Sequence, residues 1–402
     1  MHHIHLTKFN FPCYSSEAEE FIWTLSLDFS MVLKENLTDN TESMAKDFYC
    51  HRCSRTVTEH AHTDGRAEEL ADVVLYLCDT CAKNQQKEAD IDHIGEYMIL
   101  HTMGKGGMSV VYKAWHEPTY RIVALKRILP EITVYEEAKR FFQREALIMQ
   151  NLIHPNIVRL IDHKIGGEEF YFVLEYLPGG DLYTYVKRNS TSLTEVCRIL
   201  CDILDGIDYV HGKGLVHGDI KPYNILMSHT GTGKLSDFNL ARNFGELEIS
   251  NPDRMSKTPV FMAPEEIVNI KNVGPAVDIY CMGISMYNIF TNRFPLTIPE
   301  LNEMIKAFVK EKNPKDPITT ILHHKKELVS QHSEAVKQVI LKGDRVPVLD
   351  YKKDLPPELA QIIDKAVRKN KEDRFKSARE MKDALIAFLS TYEKNKSQKE
   401  SP

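Results

Sequence analysis

The sequence predicts an α+β fold in which strands come first along the chain and helices follow. A strand–turn–strand pattern runs from Tyr97 to Tyr112, and a buried-strand pattern runs from Phe170 to Leu177. A long amphipathic helical pattern then covers Leu193 to Lys213, and the nearly all-apolar stretch that opens at Asp278 predicts a buried helix. Two cysteine pairs upstream of the strands predict a separate small module.

The overall composition is that of a soluble globular protein. The 402 residues are 43% hydrophobic and 27% charged, and the net charge of −6 provides no basic field for nucleic acid or anionic lipid. No run of eighteen apolar residues is present, so we expect no transmembrane helix. We therefore expect a cytoplasmic protein that binds neither nucleic acid nor membrane.

Residues 1–43 precede the first recognisable pattern. They carry an acidic excess and are followed by Met44, which could itself be a start. We expect this segment to be poorly ordered or to reflect a misassigned start.

The cysteine pairs predict a zinc-ribbon-like module over residues 44–83. They are two C-x-x-C motifs with 24 residues between them: Cys50, Cys53, Cys78 and Cys81. Four thiolates suit a closed tetrahedral Zn²⁺ site, and a predicted strand, Val73–Leu77, leads into the second pair. Redox dithiols, idle thiols, and ligation by His51, His60 or His62 remain alternatives. A closed metal site has no open position for chemistry, so the expected role is docking a partner.

Polar residues 84–96 are predicted to be a linker, and a glycine-rich turn follows the first strand after it. The turn is Gly104-Lys105-Gly106-Gly107-Met108-Ser109. Glycines let backbone amides approach phosphate oxygens, although a plain hairpin turn is the alternative. Lys126 ends a Val-Ala-Leu-Lys strand pattern, and Glu145 lies nineteen residues later in a helical segment that could present it to Lys126. Each of these two charges alone would indicate only a solvated surface.

The most informative stretch is His217-Gly218-Asp219-Ile220-Lys221-Pro222-Tyr223-Asn224, followed by Asp237-Phe238-Asn239. The Asp219 carboxylate can accept a proton from an attacking hydroxyl. The Asn224 amide oxygen and the Asp237 carboxylate are hard ligands suited to Mg²⁺. A chance polar loop is the alternative for the octapeptide alone.

Taken in order, these motifs resemble those of eukaryotic-like Ser/Thr protein kinases of the bacterial type. The H-x-D-x-x-x-x-N and D-F-x motifs, the glycine-rich turn, the strand lysine and Ala263-Pro264-Glu265 span residues 97–390. The resemblance implies a bilobal fold with a β-rich N-lobe, 97–176, and a helical C-lobe, 177–390. The residues that follow, 391–402, are polar, and we expect them to be a loose tail.

The resemblance also implies roles in phosphoryl transfer from ATP to a protein Ser or Thr. Asp219 would orient and deprotonate the hydroxyl, and Lys221 would neutralise the γ-phosphate. Asn224 and Asp237 would hold Mg²⁺ or Mn²⁺. The implied nucleotide-binding set comprises the turn 104–109, Val111, Ala124, Lys126, Glu145, Leu174, Glu175, Leu177 and Asp181. Asp181 could equally cap the helix that follows it.

The resemblance also implies roles for residues outside the nucleotide-binding set. Asp278 would hold the backbone of the 217–224 loop, and Arg374 would pair with Glu265. Lys221 and Thr258 favour Ser/Thr over Tyr as acceptor. The region 293–355 is longer than the family pattern and could be an insertion.

Three positions depart from the family pattern: Ser109 replaces the third glycine of the turn, Gly218 an arginine, and Asn239 a glycine. A pseudokinase scaffold or ATP-gated switch is therefore an alternative function. A third interpretation places the function in the zinc module, with the kinase-like domain as regulator. Because Gly218 has no side chain to bind a phosphate, we expect little dependence on phosphorylation of the segment 237–265, unless Arg242 substitutes.

Overall fold

The computed structural model describes residues 93–400 apart from 107, 167–168, 245–256, 258, 269–272 and 297–335, together with four short strands upstream. The upstream strands form two antiparallel hairpins. β1 (Phe48–Tyr49) pairs with β2 (Thr56–Val57), and β3 (Ala67–Leu70) pairs with β4 (Val73–Tyr76). The strand predicted at 73–77 is thus β4, one residue shorter. The four cysteines and residues 1–43 lie outside the described residues.

A six-stranded antiparallel sheet forms the first lobe. Its strands are β5 (His93–Ile94), β6 (Tyr97–Lys105), β7 (Ser109–His116), β8 (Arg121–Ile128), β9 (Leu160–Gly166) and β10 (Glu169–Glu175), in the order β5-β6-β7-β8-β10-β9. The sheet begins at His93, so the end of the predicted linker 84–96 is a strand. The sequence pattern did not indicate β5 because the surrounding residues are polar and Ile94 is the only buried residue of this strand. Ile94 packs in a small hydrophobic cluster on one face of the sheet.

The other face of the sheet is covered by α1 (Glu136–Gln150), which packs against β9 and β10. Phe142 meets Phe172 of β10 with ring centroids 4.7 Å apart. The buried positions of α1 recur at helical spacing, whereas Leu147, within the predicted apolar pattern, is exposed. This packing directs Glu145 of α1 toward the sheet.

The second lobe is helical. Its helices are α2 (Leu182–Arg188), α3 (Leu193–Gly212), α4 (Pro264–Val268), α5 (Pro275–Thr291), α6 (Val348–Tyr351), α7 (Pro357–Ala366) and α8 (Ala378–Glu400), and residues 336–342 are also helical. The short strands β11 (Leu215–Val216) and β14 (Arg242–Asn243) pair, as do β12 (Ile225–Met227) and β13 (Gly233–Leu235). Short 3₁₀ turns occupy Glu117–Thr119, Pro130–Ile132, Pro222–Asn224, Pro259–Phe261 and Lys371–Asp373.

The helices pack around α5, which is buried along nearly its whole length, as its sequence predicted. It begins at Pro275, three residues before Asp278, because proline suits the first helical position. α3 packs on α8 and α5 on α7. Of the helices the structure describes, none is both long enough and apolar enough to cross a bilayer.

One prediction about the C-terminal part changes in the structure, and another falls largely outside the described residues. The predicted polar tail from 391 is helical through Glu400, because Lys, Glu and Gln favour helix and no glycine or proline intervenes before Pro402. Residues 297–335 of the long region 293–355 lie outside the described part. After them, Arg345 donates to the Tyr280 hydroxyl at 3.0 Å and so joins the chain to α5.

Buried ion pairs fix the second lobe. The Arg374 guanidinium donates to both carboxylate oxygens of Glu265, at 2.7 and 2.8 Å, and its side chain is fully buried. This is the pair that the resemblance implied. The fork geometry ties α4 to the turn preceding α8.

Asp278 of α5 holds the backbone of the 217–224 loop. Its carboxylate accepts from the backbone N–H of His217 at 2.9 Å and of Gly218 at 2.8 Å, and His211 lies 2.8 Å away. Burial alone would raise the pKa of Asp278, but the bond from His211 and the Gly218 N–H outweigh it and lower that pKa. An ionised carboxylate therefore anchors this loop.

Gly218 is required by the loop's conformation. Its φ is +79°, in the left-handed region, and a Cβ there would lie 3.1 Å from the Leu240 carbonyl oxygen. A side chain at 218 would strain the backbone and crowd Leu240.

We predict that Asp278→Asn destabilises the protein by about 3 kcal/mol at pH 7, because an amide cannot replace a carboxylate that accepts several buried hydrogen bonds. The Asp278 pKa is lowered on folding, so its contribution is present above the ordinary carboxyl value of about 3.9 and is lost as pH falls through the folded-state pKa. Urea unfolding at pH 7 and in acid should show the difference between variant and wild type shrinking in acid. Fully exposed Asp344→Asn serves as control and should change nothing measurable. A pH-independent difference would contradict the prediction.

Gly218→Ala should lower the free energy of unfolding by roughly 1–3 kcal/mol, since alanine must adopt a left-handed backbone. The matched control is Gly212→Ala at the end of α3, where φ is not left-handed and an added Cβ meets open space. Thermal unfolding should separate the two, and equal effects would count against conformational strain at 218.

Candidate functional site

Lys126 on β8 lies between two carboxylates from different elements. Its Nζ is 2.8 and 3.0 Å from the two carboxylate oxygens of Glu145 on α1 and 3.0 Å from Oδ1 of Asp237, which follows β13. Glu145 is buried, and the Asp237 side chain remains 33% exposed. The site is thus assembled where the sheet, α1 and the helical lobe meet.

The charges in this cluster stabilise one another. Burial alone would lower the pKa of Lys126, but Asp237 and Glu145 outweigh it and raise that pKa. Burial alone would raise the pKa of Asp237, but the nearby Lys126 and Lys221 ammonium groups lower it. Lys126 and Asp237 are therefore both charged at neutral pH.

Asp237 sits in an unusual backbone conformation. Its φ is +60°, which is uncommon for a residue other than glycine, and it is followed by Phe238, whose buried ring lies 4.6 Å from the His217 ring. The buried phenylalanine holds the backbone so that the Asp237 carboxylate faces Lys126. Strain of this kind is typical of functional positions.

A second cluster surrounds Asp219. The Asn224 side-chain amide donates to the Asp219 backbone carbonyl and to Oδ2, both at 2.9 Å, and the Lys221 ammonium lies 3.3 Å from Oδ2. The other oxygen, Oδ1, is buried and has no hydrogen-bond partner within the described chain. One carboxylate oxygen is therefore fixed, and the other is available to accept a hydrogen bond.

Backbone hydrogen bonds join the two clusters. His217 Nδ1 accepts from the Asp219 N–H at 3.2 Å, which leaves its Nε2 to donate to the Ser236 carbonyl at 3.0 Å. The Ser236 N–H donates to the Asn224 carbonyl at 2.9 Å. Because Ser236 precedes Asp237, these bonds set Asp237 beside the loop that carries Asp219 and Asn224.

The glycine-rich turn joins β6 and β7 above Lys126. Gly104 pairs with Val111, and Val111 pairs in turn with Lys126. The Gly106 N–H donates to the Ser109 carbonyl at 2.8 Å, and Met108 packs against the main core. Lys105 pairs with Val110, and Gly107 lies outside the described residues.

The strand β10 leads into the connection between the lobes. Leu174 pairs with Ala124 across β10 and β8. Within the residues the structure describes, the backbone N–H and carbonyl of Leu177 have no hydrogen-bond partner. Gly179 approaches β12 so closely that a Cβ would lie 2.6 Å from the Met227 carbonyl oxygen, so only glycine fits there.

Two side chains in this connection have contacts that bear on their predicted roles. The Asp181 carboxylate accepts from the Thr184 N–H at 2.9 Å and the Thr184 hydroxyl at 2.8 Å, so it caps α2. Lys234 of β13 donates to both carboxylate oxygens of Glu175, at 2.7 and 2.9 Å. Lys234 was not predicted from the sequence, in which its position three residues before Asp237 is the only indication that it lies near the site.

The comparisons with known proteins agree on the family. The family model "Protein kinase domain" matches residues 97–385. The chain is 28% identical to the Tyrosine-protein kinase MasK of Myxococcus xanthus, over 74% of this chain and 44% of the relative. It is 33% identical to the Probable serine/threonine-protein kinase PknB of Lactococcus lactis, over 50% of this chain and 32% of the relative.

A third relative is the Serine/threonine-protein kinase PknD of Chlamydia trachomatis, 28% identical over 73% of this chain and 31% of the relative. The chain spans less than half the length of these curated relatives. The match nevertheless covers both lobes and both charged clusters. Because the family model matches most of its length, the chain belongs to the protein kinase family.

Proposed function

We propose that this protein is a Ser/Thr kinase that transfers the γ-phosphate of MgATP to hydroxyl groups of a protein substrate. The observation that carries the proposal is the Asp219 carboxylate, which has one oxygen held by Asn224 beside Lys221 and the other buried without a hydrogen-bond partner in the described part of the chain. A buried acceptor of this kind suits a substrate hydroxyl. The catalytic region proposed is 97–390, with lobes 97–176 and 177–390.

The nucleotide is proposed to bind between the sheet and the helical lobe. Lys126, held by Glu145, would orient the α- and β-phosphates, and the backbone of the turn 104–109 would contact phosphate oxygens. The adenine is proposed to lie between Val111, Ala124 and Leu174, with the backbone of Glu175 and Leu177 as its hydrogen-bonding edge. Asp181 would have to share its capping oxygens to reach the ribose.

The donor atoms at the site fit Mg²⁺. The Asn224 amide nitrogen is engaged by Asp219, so the amide oxygen is the atom left for a metal, and only Oδ1 of the Asp237 carboxylate is bonded to Lys126. Amide and carboxylate oxygens are ligands that Mg²⁺ prefers. When bound, the ion would neutralise charge on the phosphates.

The chain's own residues would carry the proton and the charge. Asp219 Oδ1 would orient the acceptor hydroxyl and take its proton as the hydroxyl oxygen bonds to the γ-phosphorus. The bond between that phosphorus and the β,γ-bridging oxygen would break, and ADP would leave. Lys221 would offset negative charge on the transferring group from the same side. Glu145 would keep the Lys126 ammonium in position, while the Lys126 bond to Asp237 would give way to phosphate oxygens when the nucleotide binds.

The acceptor is proposed to be Ser or Thr rather than Tyr. Support comes from Lys221, two residues after Asp219, and from two of the three relatives, which are named serine/threonine-protein kinases. The relative from Myxococcus xanthus is named a tyrosine-protein kinase, so assays should include both acceptors.

We also propose a structural zinc ion on Cys50, Cys53, Cys78 and Cys81, in a module over residues 44–83. The first C-x-x-C pair falls between β1 and β2, and the second follows β4, so each pair adjoins a hairpin, as in a zinc ribbon. The module is proposed to dock a protein partner or substrate. Reduced thiolates of this kind, together with the use of ATP, support a cytoplasmic location.

We predict that Asp219→Asn lowers single-turnover phosphoryl transfer by about 10²–10⁴-fold and leaves nucleotide affinity nearly unchanged, since Asp219 acts on the hydroxyl. Asp237→Ala should instead weaken Mg²⁺-nucleotide binding. Exposed Asp344→Asn is the control. Full activity of Asp219→Asn would refute the assigned role. If wild type transfers no phosphate with Mg²⁺ or Mn²⁺ to any substrate, itself included, a pseudokinase scaffold is favoured. The departures from the family motifs at Gly218 and Asn239 are the reason for considering this alternative.

Protein purified without chelator should contain about one zinc per chain, and chelation should expose four thiols. Elemental analysis and thiol titration of the full chain measure both quantities. The double variant Cys50→Ser, Cys53→Ser should lose the metal while retaining transfer to a generic peptide. Metal-free protein as purified, with the same number of titratable thiols before and after chelation, would exclude the site.

A further inference from the structure

The six-stranded sheet carries a lysine to which the proposed reaction gives no role. Lys113 of β7 is two residues from Val111, and residues two apart on a strand point to the same side. Lys113 pairs with Ala124 of β8, which pairs in turn with Leu174 of β10. Directly paired residues share a face of the sheet, so Lys113, Ala124 and Leu174 form one row across three strands.

The neighbouring row carries Lys126 on the same face. Val111 pairs with Lys126, which pairs with Phe172, and the Lys126 ammonium lies 5.3 Å from the centre of the Phe172 ring. Leu125, which separates the two rows on β8, packs in the small hydrophobic cluster on the opposite face. The side chain of Lys113 therefore lies on the face that carries Lys126, in the row proposed to border the adenine.

The Lys113 ammonium lies over the ring of Tyr176, 4.8 Å from its centre. Burial lowers the pKa of Lys113, and within the described part of the chain its ammonium has neither an ion pair nor a hydrogen bond. Burial raises the pKa of Tyr176, so its hydroxyl is uncharged at neutral pH. Because the face of an aromatic ring carries negative potential, the Tyr176 ring is the group that compensates this cation.

Tyr176 belongs to the connection between the lobes. It stands between Glu175 and Leu177, whose backbone is the proposed hydrogen-bonding edge for adenine. Lys234 of the helical lobe holds the Glu175 carboxylate, and the Glu175 N–H donates to the Arg159 carbonyl at 3.0 Å. The Tyr176 ring is therefore attached to a stretch of backbone that other bonds already fix.

The contact joins two elements that lie on either side of the proposed adenine site. Lys113 is on β7, the strand that follows the glycine-rich turn, and β7 pairs only with β6 and β8 within the sheet. Among the described residues, no backbone hydrogen bond joins β7 to residues 175–181. The contact between Lys113 and Tyr176 thus links a strand and a connection that backbone bonding leaves separate.

We propose that Lys113 and Tyr176 are positioning residues for the nucleotide: their cation–ring contact holds β7 against the connection between the lobes and so fixes the width of the adenine site. The inference rests on the proposed nucleotide site, because it concerns how tightly that site closes on the base. Lys113 lies one row away from Lys126, so the effect should fall on the base and not on the phosphates. A site held at its binding width loses less freedom when the nucleotide binds, which favours affinity.

A double-mutant cycle in nucleotide binding tests the contact. Lys113→Met and Tyr176→Leu should each raise the Kd for a non-hydrolysable ATP analogue with Mg²⁺ about five-fold. The double variant should stay within two-fold of the single variants, because both substitutions remove the same contact. Lys113→Arg and Tyr176→Phe keep a cation and a ring, so both should stay within two-fold of wild type. Unchanged affinity in the single variants, or a loss of about 25-fold in the double variant, would overturn the proposal.

A second ligand distinguishes a contact that shapes the adenine site from a lysine that binds phosphate. Adenosine has no phosphate, so the positioning role predicts the same five-fold loss of affinity for adenosine as for the ATP analogue. A loss with the ATP analogue alone would mean that Lys113 binds phosphate, and it would overturn the proposal. In phosphoryl transfer, the KM for ATP should rise in Lys113→Met while kcat at saturating ATP stays within two-fold of wild type.

Lys213→Met is the matched control, because the Lys213 ammonium lies over the Tyr209 ring, 5.4 Å from its centre, at the end of α3. This variant should bind both ligands as wild type does. Thermal unfolding without nucleotide shows whether each variant is folded. If Tyr176→Leu does not fold, the comparison of Lys113→Met with Lys113→Arg still decides, and equal affinities in these two variants would overturn the proposal.

Binding and transfer are measured separately on the full chain, so the two proposals can fail separately. If wild type binds the ATP analogue and transfers no phosphate, the kinase function fails and the binding cycle still decides about the contact. If wild type binds neither the ATP analogue nor adenosine, both proposals are overturned.

Discussion

The site depends on one ammonium group held between two carboxylates. Lys126 comes from the sheet, Glu145 from α1 and Asp237 from the helical lobe, and the three meet within 3.0 Å. Each of these charges would be costly to bury alone, so all three elements must be in place for any of them to be stable there. The same interaction fixes the position of α1 and of the Asp237 segment relative to the sheet.

In the helical lobe, buried polar side chains hold the backbone segments near this interaction in place. Asp278 accepts hydrogen bonds from backbone N–H groups of the 217–224 loop, and the His217 ring is hydrogen-bonded to the Ser236 carbonyl. Arg374 forms an ion pair with Glu265. None of these groups has to touch a substrate. They hold the backbone around Asp219, whose carboxylate has one oxygen bonded to Asn224 and one buried oxygen without a hydrogen-bond partner in the described part of the chain.

The accuracy of the sequence predictions follows the range of the interactions involved. Local patterns found α3 and α5 within three residues and β4 within one, because helical and strand periodicity are local properties. The pairing of Arg374 with Glu265 came from motif resemblance and is present in the structure. Predictions failed where few residues carried the signal: Ile94 alone marks β5, and the helical tail after 391 is polar throughout.

The sequence by itself determined the order of strands and helices, the family, and the residue types that can perform phosphoryl transfer. It did so because spacing along the chain and side-chain chemistry are visible in one dimension. Only the tertiary structure decided that Asp181 caps α2, that Lys234 binds Glu175, and that Lys257 and Arg242 share Glu266. The partner of each of these side chains could not be predicted from the sequence, because folding brings together charged groups that are far apart along the chain.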